Sequence, residues 1–294
     1  MRTVLADARR GHPGLYGLTV AMAALALVTA VLALVDQREL LGAPLWFKPL
    51  KFSLSIALYG AALAWMLSRL PRGAMRRAGW IITVGAVIEM VIIVGQAARG
   101  VRSHFNDDTV FDGLLFAVMG ATITVVWLAT LAIALRFLRE RSDDRVTSSA
   151  VRLGLAVGLA GMAIGFLLSA NGGHAVGVPD GGPGLFLVGW STTGGDLRIG
   201  HFVGMHALQV LPLLAAGLAA AAPGRLDEAA RLRVVQIVAV AYAGLVALVT
   251  WQALRGQPLL APDALTLAAL GALLLGTGAA LAAVLRRSPV PAVA

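Results

Sequence analysis

Eight apolar runs of about 20 residues, separated by short charged segments, constrain this chain more than any other feature. A helix rises 1.5 Å per residue, so a run of that length crosses a hydrocarbon core of about 30 Å. The runs fall at 15–35, 46–68, 78–98, 110–138, 150–170, 200–222, 231–254 and 263–285. Composition agrees: mean hydropathy is +0.83 and 13% of residues are charged, about half the share of a soluble domain. The expected fold is therefore an all-α membrane protein of eight transmembrane helices, occupying the whole chain as one transmembrane domain. The first run, Leu15 to Val35, exceeds a signal-peptide core and lacks a small-residue cleavage site, so it reads as a retained helix.

Orientation follows from the basic residues. Of 24 Lys and Arg, 17 fall at the N-terminus, at the C-terminus and in the second, fourth and sixth connections. Seven fall on the other side: Arg38, Lys48, Lys51, Arg99, Arg102, Arg198 and Arg255. This split alternates at every loop and predicts both termini in the cytoplasm of a bacterial-type inner membrane, with His12 part of the N-terminal cytoplasmic tail. The net charge of +9 is thus a topology signal, with no nucleic-acid partner implied. The chain has no cysteine, which removes thiolate metal sites, disulfides and thiol nucleophiles.

Gln96-Ala-Ala-Arg99-Gly100 closes the third run and Gln252-Ala-Leu-Arg255-Gly256 closes the seventh. Phe47-Lys-Pro-Leu-Lys-Phe52 and Phe202-Val-Gly-Met-His-Ala207 stand at the starts of the second and sixth. The spacing predicts a 4 + 4 parallel duplication, 1–145 and 146–294, about an axis along the membrane normal. The longest connection, within 171–199, is rich in Gly with Pro179 and Pro183, and reads as a lid carrying Phe186 and Trp190 as anchors.

Polar residues that are costly in lipid are candidates for function, and they converge on the outward side. Glu89, Gln96, Arg99 and His104 belong to the third run and its exit, and Asp107, Asp108 and Asp112 open the fourth. Asn171 and His174 follow the fifth. Asp196, Arg198 and His201 open the sixth, with His206 and Gln209 deeper. Lys48 and Lys51, the two lysines among the cations, share a helical face and suit a carboxylate or phosphate. Glu89, about 10 Å below the boundary, is expected to be protonated or paired, Arg99 at the exit of its own run and Lys51 of the second run being the nearest cations on the same side. His201 and His206, five apart, lack the i,i+4 spacing of helical zinc ligands. Gly200 and Gly204 invite close approach of a helix or a flat cofactor, and Pro212 predicts a kink. A pocket between the second, third, sixth and seventh runs is the expected site.

The elements Trp46-Phe-Lys-Pro-Leu-Lys51, Gln96-Ala-Ala-Arg-Gly100, Ser103-His-Phe-Asn106, Asp180-Gly-Gly-Pro-Gly184 and Gly195-Asp-Leu-Arg198 with His201 and His206 resemble a group of uncharacterised multipass bacterial membrane proteins. The resemblance spans most of the chain and implies no particular chemistry. Three activities fit the residues. The first is a b-type haem redox protein, with His206 and His104 or His174 as axial ligands and Lys48, Lys51, Arg99 and Arg198 on the propionates. The second is a zinc-dependent hydrolase or transferase on lipid-borne substrates, using three of His104, His174, His201 and His206 with Asp112 or Asp196. The third is a proton-coupled transporter or receptor for a small anion, with Glu89 on the proton path. No Walker loop, dinucleotide fingerprint or nucleophile elbow is present.

Overall fold

The computed structural model describes residues 2–221 and 226–287; Arg225, one of the basic residues used for orientation, lies outside the described residues. Seven helices are long and apolar enough to cross a membrane, and an eighth span follows if one bent helix pair is counted together. The helices are α1 (Arg2–Gly11), α2 (Pro13–Val35), α3 (Phe47–Leu67), α4 (Arg76–Arg99), α5 (Val110–Arg139), α6 (Arg145–Ala170), α7 (Leu197–Met205), α8 (Ala207–Ala221), α9 (Glu228–Leu254) and α10 (Ala264–Arg287). Two small hairpins complete the elements, β1 (Glu39–Leu40) with β2 (Ala43–Pro44) and β3 (Ala175–Val176) with β4 (Gly195–Asp196). The chain forms two compact units, Met1–Arg136 with Pro179–Ser191, and Phe137–Val178 with Thr192–Ala294.

In unit 1, α2, α3 and α4 pack against one another. The buried residues of α2 are Leu15, Leu18, Met22, Ala26 and Thr29, the three-and-four spacing of one helical stripe. Its other face exposes Leu27, Val31 and Leu34, as a lipid-facing helix does. Gly60 of α3 admits the Leu15 carbonyl and Thr19 of α2, and Gly85 of α4 admits Val126 of α5. Such small residues let helices approach in a membrane, where apolar surface alone gives little drive to associate. The α4 window is 56% buried against 6% for α10, so α4 is the helix on which unit 1 is built.

The β1–β2 hairpin turns through Leu41 and Gly42, both at positive φ (52° and 70°), the twist a two-residue hairpin requires. Residues before Pro13, expected as a cytoplasmic tail, instead form α1, which packs on α3 with Gly11 against the Ala64 carbonyl. His12 joins α1 to α2 as a helix cap. Its Nδ1 accepts from Leu15 N at 3.1 Å and its Nε2 donates to the Arg76 carbonyl at 3.0 Å. The ring lies edge-on to Trp80 and is 1% exposed. Burial holds its pKa below the ordinary histidine value, with the Arg76 charge adding and the Arg76 hydrogen bond opposing.

Unit 2 repeats the three-helix contact with α6, the α7–α8 pair and α9. Gly161 of α6 meets the backbone of Gly204 and Met205, Gly154 meets the Ala207 carbonyl, and Gly200 of α7 meets Thr250 of α9. The space beside Gly200 and Gly204 is thus taken by helices. The kink expected at Pro212 falls instead at His206, where α7 and α8 meet at 41°; Pro212 lies inside α8. The break is supported from α9, whose Tyr242 hydroxyl donates to the Val203 carbonyl at 2.6 Å.

Candidate functional site

The polar residues expected to converge are divided between the units. Lys48, Lys51, Glu89, Gln96, Arg99, His104 and Asp112 belong to unit 1, and His174, Asp196, Arg198, His201, His206 and Gln209 belong to unit 2. Each unit carries two polar corners, and the corners share their construction.

The first corner is the helix exit at Gln-x-x-Arg-Gly. Gly100 ends α4 at φ 75°, with Gly100 N donating to Ala97 O (2.9 Å) and Val101 N to Gln96 O (3.0 Å). Gly256 follows α9 at φ 71°, with Gly256 N donating to Ala253 O (2.9 Å) and Gln257 N to Gln252 O (3.2 Å). A residue with a Cβ resists this left-handed conformation, which accounts for glycine at both. Each glutamine side chain also donates to the carbonyl six residues on, Gln96 to Arg102 (3.3 Å) and Gln252 to Pro258 (2.7 Å). Each arginine reaches an acid at the start of the next helix, Arg99 to Asp112 at 2.7 Å and Arg255 to Asp263.

The two differ in depth. Asp112 is 3% exposed and accepts from Gln96 (2.8 Å), Arg99 and Thr109 (2.6 Å). Asp263 is half-exposed, caps α10 through Thr266 N, and is held below the usual carboxylate range first by Arg255 and then by Thr266.

The second corner is Asp-x-Arg. Arg38 N donates to Asp36 Oδ1 at 3.2 Å while its guanidinium clasps both carboxylate oxygens at 2.7–3.1 Å. Arg198 repeats this on Asp196, with its N at 3.0 Å and its guanidinium at 2.6–3.2 Å. The third partner differs: Trp46 Nε1 donates to Asp36 at 2.8 Å, whereas His174 Nδ1 lies 3.7 Å from Asp196. Arg38, then Trp46, holds Asp36 well below the carboxylate range. The only sequence signal of this corner is the short Asp-x-Arg spacing of Asp36-Gln-Arg38 and Asp196-Leu-Arg198.

Other residues of the expected site have local partners. His201 Nδ1 donates to the Gly161 carbonyl at 2.8 Å and His206 Nδ1 bonds Gln209 Oε1 at 3.2 Å, with Phe202 packed against the His206 ring. His104 sits among Phe52, Phe105 and Phe116 and bonds Ser103 through Nδ1. Lys51 donates to the Val188 carbonyl at 2.9 Å, and Lys48 lies 6.0 Å from the Phe52 ring centre. The two lysines therefore take different partners. Among the described residues, no three His, Asp or Glu side chains gather as a metal ion requires.

Glu89 has the costliest environment. It is 6% exposed in α4, and its Oε1 is buried with no hydrogen-bond partner among the described residues. The Lys48 ammonium of α3 lies within electrostatic reach of it.

These helices define a multipass membrane architecture. No protein-family model matches this chain, and neither a curated protein nor a solved structure gives a match to it.

Proposed function

We propose that the protein binds a small anion at Lys48 and couples that binding to protonation of Glu89, as a proton-linked transporter or receptor does. The observation carrying this reading is the buried carboxyl of Glu89, whose Oε1 has no hydrogen-bond partner among the described residues, within electrostatic reach of the Lys48 ammonium. One ammonium can balance one anion. When an external anion takes Lys48, Glu89 is left a buried uncompensated charge, and accepting one proton removes it. For a monovalent anion the step is electroneutral, because one anion and one proton enter together; a dianion carries one net negative charge inward with its proton.

The repeat sharpens the argument. The shared corners support the 4 + 4 duplication, with α2–α5 corresponding to α6–α10. Two turns before its glutamine, α4 has Glu89 where α9 has Leu245; next after its phenylalanine, α3 has Lys48 where α7 has Val203. Both members of the pair are thus apolar in the second half. A pair needed to hold such a helix trio together would be expected in both. With the basic-residue split, both termini are cytoplasmic and the corners face outward.

Proteoliposomes loaded with a pH-sensitive dye test this reading. Addition of inorganic phosphate, succinate or gluconate outside should acidify the lumen for at least one anion, and Glu89→Gln should abolish the response. If none of the three moves protons in a Glu89-dependent way, the reading falls. A second reading, b-type haem binding, is favoured by the Nδ1 bonds of His201 and His206, which leave each Nε2 its lone pair. Purified protein without a Soret band removes it.

A further inference from the structure

Residues 179–191 connect β3 to β4 of unit 2, yet they belong to unit 1. The segment folds back on itself as a hairpin. Gly184 bridges Ser191, Leu185 N donates to Trp190 O at 2.8 Å, and Gly189 N to Leu185 O at 2.7 Å. It is held at the start of α3 by an edge-on contact of Phe186 with Phe47 (5.8 Å between centres) and by the bond from Lys51 to Val188 O. It also rests on the β1–β2 turn, where Gly181 at φ 86° lies against Leu41.

We infer that this hairpin is a strap closing the Lys48–Glu89 site, fastened by Phe47–Phe186 and Lys51–Val188 and released to admit the anion; the inference rests on the function proposed above. Three observations carry it. The fastening is shallow, because Phe186 remains 87% exposed while touching Phe47. Leu187 at the tip is held at φ 65°, a conformation a leucine adopts only under constraint, so release relieves strain. The fastening points, Phe47 and Lys51, flank Lys48 on the first two turns of α3. The strap therefore lies on the unit that carries the charged pair.

The lack of native cysteine makes the test clean. In Lys48→Cys, labelling by a membrane-impermeant maleimide should accelerate roughly 2- to 13-fold when Phe186→Ala is added, as expected for losing one aromatic pair. Phe52→Cys serves as the reporter should Lys48→Cys fail to fold. Unchanged labelling overturns the strap. In Phe47→Cys/Phe186→Cys, a short thiol-cleavable cross-linker should stop the anion-driven proton uptake and reductant should restore it; full uptake in cross-linked protein also overturns the strap. If the wild type shows no such uptake, the function reading fails while the labelling result still decides the strap.

Discussion

Replacing Lys48 by Val and Glu89 by Leu, singly and together, removes the two charges in turn and leaves apolar side chains in their place. Glu89→Leu leaves a half-buried lysine whose stem can extend its ammonium towards water, at a cost of about 1 kcal/mol or less. Lys48→Val leaves a 6%-exposed carboxyl with an oxygen already lacking a partner. Its least costly response is to take up a proton. At pH 7, against an ordinary glutamate near 4.3, this costs at most roughly 3.7 kcal/mol, because burial already penalises the native carboxylate, and the ceiling falls by about 1.4 kcal/mol for each pH unit to about 1 kcal/mol at pH 5. The double variant removes both charges and should be neutral or more stable by about 1–4 kcal/mol. Unfolding midpoints in mixed micelles at pH 7 and pH 5 measure all four proteins. Equal cost of Lys48→Val at both pH values, or a double variant as unstable as the summed singles, would refute the pairing. The double variant should also have no proton uptake, separating fold from function.

Gly161→Ala places a methyl 2.3–2.5 Å from the Gly204–Met205 backbone and threatens the His201 bond to Gly161; it should cost about 2–4 kcal/mol, whereas Gly120→Ala, with open space around it, should not destabilise, as paired thermal melts would show. Native His12 must be neutral for Nδ1 to accept from Leu15 N, so below about pH 6.5 the unfolded chain binds the extra proton and stability declines. His12→Asn, which keeps a capping oxygen, should remove that part of the pH profile of the melting temperature. Asp112→Ala strips Gln96, Arg99 and Thr109 of a buried acceptor and should lower stability by about 2–3 kcal/mol; Asp263→Ala, at a half-exposed pair, should lose about 1 kcal/mol in the same unfolding assay.

The spans were legible because lipid demands about 20 apolar residues whatever the packing; seven expected helices lie within about five residues of their sequence estimates, and the sixth is divided into α7 and α8. The Gln-x-x-Arg-Gly exits were legible because glycine at a left-handed cap and an arginine beside it leave a local signature. Partner choice was less so. Lys48 and Glu89 lie on different helices, and helix rotation, which brings their charges within electrostatic reach, is fixed by close contacts such as Gly60 on α2 and Gly85 on α5. His12 looked like part of a tail because its acceptor role depends on a carbonyl 64 residues away. The bend misplaced at Pro212 arises at His206, where Tyr242 relieves the freed carbonyl from another helix.

The strap also bears on how the protein is made. Ribosomal synthesis delivers α1 to α5 before residues 179–191 exist, so the first unit is born uncovered. It stays so until α6 has been synthesised and the hairpin emerges behind it. A gene cut between the halves would therefore yield an N-terminal fragment permanently lacking its cover, and co-expression of the C-terminal fragment would supply the missing piece in trans. The two units are separate in contact but not divisible in assembly.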